Sequence, residues 1–238
     1  MKKNITKLLT TLLFLTGFSL VLYPPLANAW NSHRQEEMIR RFYQTVAKRE
    51  AAGEIDYQAE WDAAAAYNRS LLPYKVPYTF IKAEAMDGDD TYLSCLDIAG
   101  NGIIGIVEIP KIHSKLPIFH TSDEEVLEVA AGHLEGSFLP IGGESTHAVI
   151  SAHRGRPGAQ LFKDLDQLEK GDRFYLHILD ETLCYEVDKI STVAPHDTRA
   201  LNVEDGQDLV TLLTCTPYGE ESHRLLVRGH RAPYDKEP

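Results

Sequence analysis

Leu209-Val210-Thr211-Leu212-Leu213-Thr214-Cys215-Thr216-Pro217-Tyr218-Gly219 reads as a strand that ends in a thiol and runs straight into a turn. The first seven residues are leucines, β-branched residues and one cysteine, which suits a pleated and largely buried strand. Pro217 lacks a backbone donor and Gly219 tolerates φ values that other residues avoid, so the ladder stops there. A thiol on the last residue of such a strand is held by the sheet and faces a loop, the placement a nucleophile needs. Cys184, inside Leu183-Cys184-Tyr185-Glu186-Val187, suits a small buried hydrophobe, and so does Cys95.

The next apolar run starts at His223-Arg224-Leu225-Leu226-Val227-Arg228. Returning antiparallel beside the first, across the loop Thr216–Ser222, it sets Arg224 opposite Cys215. A guanidinium there favours thiolate and can stabilise a developing oxyanion. Cysteine chemistry of this kind also takes a histidine from elsewhere in the chain. Ten histidines are available. His147 and His153 flank the strand-like Ala148-Val149-Ile150-Ser151-Ala152, and spacing does not choose between them.

Short β-branched runs recur outward from this core at Ile103–Ile109, Leu116–Phe119, Ala148–Ser151, Phe174–Ile178 and Thr182–Val193. With Leu209–Cys215 and Arg224–Val227 they make seven short strands. Gly142-Gly143, Gly155, Gly158 and Gly171-Asp172 punctuate them, which predicts a mainly β fold, an antiparallel sandwich or barrel. Two short helices, near Asp123–Ala131 and Ala159–Leu168, interrupt it. Upstream, Met38, Ile39, Phe42, Tyr43 and Val46 form one apolar stripe of a helix capped at Asn31 or Ser32. Gly53 divides this region into two helices, the second over Tyr57–Leu72. Pro73–Asn101 reads as a connector. The chain therefore divides into 1–29, a helical arm and connector over 30–101, and a β domain over 102–238.

The first segment carries Lys2, Lys3 and Lys7 with no acid, followed by the uncharged run Leu8–Tyr23. That is the order of an export signal. The run is shorter than the roughly 20 residues of a comfortable membrane span. Pro24 and Pro25 are expected to stop its helix. Ala27-Asn28-Ala29 fits a small-x-small cleavage site, so a signal peptide and a retained anchor are both compatible with it.

Composition narrows the function. The 238 residues are 43% hydrophobic and 25% charged, which excludes a disordered chain and a polytopic membrane protein. The net charge of −11 excludes nucleic acid as a partner, since no broad basic surface can form. Three scattered cysteines exclude a disulfide framework and a structural zinc site.

Thr211-Leu212-Leu213-Thr214-Cys215 is similar to the T-L-x-T-C signature of sortases, the cysteine transpeptidases of Gram-positive surfaces. The upstream His147-Ala148-Val149-Ile150-Ser151-Ala152-His153-Arg154-Gly155 and the downstream arginine agree as well. Residues 102–231 most resemble the pilin-polymerising class C, in Gly105-Ile106-Val107-Glu108-Ile109-Pro110-Lys111-Ile112, Gly132-His133-Leu134-Glu135-Gly136 and Cys215-Thr216-Pro217-Tyr218-Gly219. The resemblance implies an eight-stranded β-barrel with short helices and an N-terminal helical arm. It implies Cys215 as nucleophile, His153 as proton-transfer residue, Arg224 as third member, and Thr214 as a residue that orients the bound signal.

The implied substrates are pilins or surface proteins carrying an LPxTG-like signal before a hydrophobic tail, cleaved between Thr and Gly. No metal or other cofactor is implied. Because such substrates are membrane-tethered, the resemblance favours a retained N-terminal anchor and a catalytic domain on the extracellular face of the membrane. Class C enzymes commonly carry an Asp-Pro-aromatic lid. This chain has no Asp-Pro, and Asp87–Tyr92 is a poor substitute, which implies an open site or an atypical lid. Wall anchoring of surface proteins and proteolysis by a secreted cysteine protease share the first half of the chemistry. A pilin or adhesin would carry its own sorting signal ahead of an apolar tail, whereas Leu139-Pro140-Ile141-Gly142-Gly143 lies mid-domain.

Overall fold

The computed structural model describes residues 2–72, 90–155 and 160–234. Helix α1 (Lys2–Ala51) is followed by α2 (Tyr57–Leu71) and the one-turn α3 (Asp90–Ser94). Strands β1 (Ile103–Ile109), β2 (Ser114–Phe119), β3 (Ala131–His133), β4 (Thr146–Ser151), β5 (Arg173–Ile178), β6 (Glu181–Val193), β7 (Asp208–Thr216) and β8 (His223–Ala232) then close a barrel. Their order around it is β1-β2-β3-β4-β7-β8-β6-β5, with β5 pairing back onto β1. A short helix, α4 (Glu124–Leu127), lies between β2 and β3.

The eight strands are the number the family resemblance implies, one more than the seven read from pattern alone, and the barrel is mixed rather than antiparallel. Strand β3 is the addition. Three residues are too few to display a period of two, and its first residue, Ala131, falls at the end of the helix expected near Asp123–Ala131. The pairs β2/β3 and β4/β7 run parallel, the first joined by the crossover that contains α4, the second by a connection that includes β5 and β6. The helix expected over Ala159–Leu168 shrinks to a single 3-10 turn at Leu165–Gln167 within the described residues.

The core fills the barrel with Ile104, Val107, Leu116, Ile150, Phe174, Leu176, Leu212 and Val227, all 3% exposed or less. Helix α2 lies against it through Ala64, Tyr67 and Leu71. Asp56 caps that helix by accepting from the Ala59 amide, a bond worth about 1 kcal/mol. Asn68 bonds both backbone groups of Leu139, accepting from its amide at 2.8 Å and donating to its carbonyl at 3.1 Å.

Helix α1 corrects two expectations. It passes through Pro24 and Pro25 without ending, and Asn31 and Ser32 lie in its interior rather than at a cap. Each proline costs its own donor and crowds the carbonyl four residues back. The turns on both sides, Leu20-Val21-Leu22-Tyr23 and Leu26-Ala27-Asn28-Ala29, keep their donors, and the helix continues. The uncharged part of α1 thus extends from Leu8 to Ser32, longer than the roughly 20 residues a membrane span requires. Gly53 does divide the arm as expected. Most of the connector, including residues 87–89 of the lid-like stretch, lies outside the described residues.

Candidate active site

Cys215 is the penultimate residue of β7, and the register of β7 with β8 sets it directly opposite Arg224. The loop length read from the sequence is the cause: the two strands meet at Thr216 and His223, so the next pair inward is Cys215 and Arg224. On the other side of β7 lies β4, in parallel register, with Ser151 beside Leu213. The Ala152 amide continues the ladder by donating to the Leu213 carbonyl at 3.2 Å. One residue further, His153 comes level with Cys215. Three residues from three separate elements are thus brought to the same end of the barrel.

His147, the other histidine at this strand, lies at the far end. It is buried between the Asn202 carbonyl (2.9 Å) and the Thr211 hydroxyl (2.7 Å) and takes no part in the cluster. Thr214 is 1% exposed, and its hydroxyl donates to the Ala152 carbonyl at 2.7 Å. It holds the strand that leads to His153. Cys95 and Cys184 are buried, whereas Cys215 is part-exposed.

The surroundings set the proton positions. Partial burial pushes the Cys215 thiol above the ordinary cysteine range; Arg224 opposes this and the Glu221 carboxylate adds to it. Burial pushes His153 below the ordinary histidine range, against the pull of Glu221 and Glu128. Both shifts favour the neutral thiol and the neutral imidazole over thiolate and imidazolium. His153 Nε2 lies 3.4 Å from the Glu124 carboxylate on α4, out of hydrogen-bond alignment, and has no hydrogen-bond partner among the described residues. Nη1 of Arg224 donates to the Glu221 carbonyl at 3.0 Å, which steadies the guanidinium at the mouth of the loop.

Sequence reasoning missed Arg154. Its side chain is 8% exposed and donates to the Lys163 carbonyl (2.9 Å) and the Thr216 hydroxyl (3.1 Å), while its Nη2 pairs with Asp166 at 2.5 Å. Its position next to His153 was the available signal, but its partners stand nine to 62 residues away in sequence. Gly155 packs so closely on Gly219 that a Cβ there would lie 2.3 Å from the Gly219 nitrogen. The two loops that leave β4 and β7 therefore touch.

The sortase-domain family description matches residues 107–232, which include all of these residues. The chain belongs to the sortase family. This sortase is 33% identical to sortase D of Bacillus subtilis over 130 residues, 53% of this chain and 63% of that protein. Its fold is similar to the crystal structure of sortase C1 from Streptococcus agalactiae (42% identity, TM-score 0.69), covering 81% of this chain and 100% of that one. It is likewise similar to Streptococcus pneumoniae sortase C, whose structure is described as bearing on catalysis and pilin substrate specificity (42% identity, TM-score 0.68, 83% and 97% covered). These structural neighbours of this sortase are class C enzymes.

Proposed function

We propose that this sortase cleaves LPxTG-like sorting signals between Thr and Gly and transfers the Thr acyl group to a lysine amine of the next pilin. The observation that carries this reading is the meeting of Cys215, Arg224 and His153 at one barrel end, set by the β7/β8 and β4/β7 registers. The Cys215 thiolate attacks the Thr carbonyl carbon, and Arg224 stabilises the oxyanion that forms. Imidazolium at His153 gives its proton to the Gly nitrogen as the C–N bond breaks, leaving a thioacyl enzyme and neutral imidazole. The acceptor amine then attacks the thioester and loses its proton to His153. An amide forms and the Cys215 thiolate leaves.

Thr214 contributes by holding Ala152, and through it His153, beside the nucleophile. The N-terminal apolar helix is retained as an anchor, with the barrel on the extracellular face. The test is product analysis with an LPxTG peptide and a lysine-bearing pilin domain. Amide product that rises with acceptor concentration supports transpeptidation. Release of free acid alone, unaffected by the amine, would leave a protease.

A further inference from the structure

We infer that α1 is a continuous strut from bilayer to barrel that presses the catalytic end of the barrel against the outer membrane surface, so that the enzyme works on sorting signals still attached to their hydrophobic tails. This rests on the anchor and substrate reading above and adds an orientation to it. Leu9, Leu13, Phe14, Leu20, Val21 and Leu26 are all more than half exposed on α1. With Lys2, Lys3 and Lys7 at one end and no charge from Leu8 to Ser32, that surface fits a bilayer core. Trp30, 67% exposed, stands where an interfacial aromatic belongs.

The helix does not break beyond Trp30. Gln35, about 8 Å further along the axis at 1.5 Å per residue, is 5% exposed and donates to the Val129 carbonyl at 3.0 Å. Phe42 and Val46 are buried against Ile103 and Ile106 of β1. Arg49 donates to the Ile98 carbonyl at 2.6 Å, a further 21 Å or about that along the axis. The arm is thus fixed to the barrel at both ends, and its direction decides which end of the barrel meets the lipid.

One contact and one shared groove point to the catalytic end. Val129 closes the turn after α4, the helix whose Glu124 carboxylate lies 3.4 Å from His153. Ser32, Gln35 and Ile39 line a groove whose far wall includes Leu161. The next residue, Phe162, donates its amide to the His153 carbonyl at 3.2 Å. The part of α1 nearest the bilayer therefore bonds one segment beside His153 and faces the other across the groove, while the part farthest from it meets Ile98. A signal that lies just outside the membrane, ahead of its own tail, is presented at that height.

The test uses the full chain in phosphatidylcholine–phosphatidylglycerol vesicles. In a Cys215→Ala background, a fluorophore is placed at Glu125→Cys, beside the site, or at Ala52→Cys, at the far end of the strut. Quenching by headgroup nitroxide lipid is expected to be about threefold or more stronger at position 125; equal quenching, or the reverse, overturns the orientation. An active protein with about 18 helix-forming residues inserted after Ser32 keeps the helix face and lifts the barrel by about 27 Å. Its turnover of an LPxTG peptide fused to a transmembrane tail is expected to fall about tenfold, with a free peptide unchanged within about twofold. Undiminished turnover of the tethered peptide overturns the inference. An intact mass showing cleavage after Ala29 removes the anchor reading and the strut together. If no variant processes the free peptide, the substrate reading fails, and the quenching ratio still decides the orientation.

Discussion

Arg154 donates to the hydroxyl of Thr216 at 3.1 Å, so the residue after His153 is bonded to the residue after Cys215. The residues before them are bonded too, Thr214 to the Ala152 carbonyl at 2.7 Å. The histidine and the cysteine sit between these two cross-links. Neither link involves the Cys215 thiol or the His153 ring, and both set how these two residues face each other.

Arg154→Ala is expected to lower kcat about 10- to 100-fold while KM changes by about threefold or less, because misplacement of about 1 Å costs that much in rate. Arg154→Lys keeps a cation for Asp166 but lacks the fork that reaches the Lys163 carbonyl and Thr216 together, so it should recover only part of the loss. Steady-state kinetics on an LPxTG peptide, with a thermal melt to confirm folding, decides this. A fall in affinity at unchanged kcat would assign Arg154 to substrate binding instead.

Gly155→Ala is expected to damage the same geometry from the other side. The added methyl would lie 2.3 Å from the Gly219 nitrogen and 2.6 Å from its Cα, and Gly155 has φ of +92°, where a side chain is strained. The β7–β8 loop must move, carrying Tyr218 and Glu221 with it. Loss of about tenfold or more in kcat/KM, with a lower melting temperature of about 4 °C or more, is the expected result.

Glu221→Gln tests the electrostatics. The carboxylate raises the pKa of both Cys215 and His153. Removing its charge makes thiolate form at lower pH and makes imidazolium lose its proton at lower pH. Both limbs of the kcat/KM profile should therefore move to lower pH. The backbone carbonyl that holds Arg224 remains in the variant, so the maximum rate should fall little. A profile that does not move would place the carboxylate too far away to matter.

Two buried histidines make stability depend on pH. Burial lowers His133 and His147 to about 4, from 6.5. Below pH 6.5 the unfolded chain takes up protons that the folded chain refuses, so stability falls as pH drops from about 6.5 to about 4 and levels off below that. Each contributes on the order of 3 kcal/mol across that window. His147→Gln, which can still bond Asn202 and Thr211, should melt with a shallower dependence on pH. A slope equal to that of the parent protein would show that His147 is not the source.

Residues whose partners are near in sequence were legible, and residues whose partners are distant were not. The Cys215–Arg224 pairing follows from one short loop and could be drawn before any fold was known. His153 could not be chosen over His147 by spacing, because the choice depends on the parallel pairing of β4 with β7, strands separated by two others in the chain. Strand β3 was missed because three residues carry no period. The prolines of α1 were read as a stop because local propensity ignores the stable turns on both sides. Arg154 stood in plain view beside His153, but its partners Lys163, Asp166 and Thr216 come together only in the folded barrel.

The most direct test of the account is the intact mass of the protein after brief incubation with an LPxTG peptide, beside Cys215→Ala. The expected result is an increment equal to the acyl fragment through Thr, removed by hydroxylamine and absent from Cys215→Ala. Peptide cleavage by Cys215→Ala at the parent rate would contradict it.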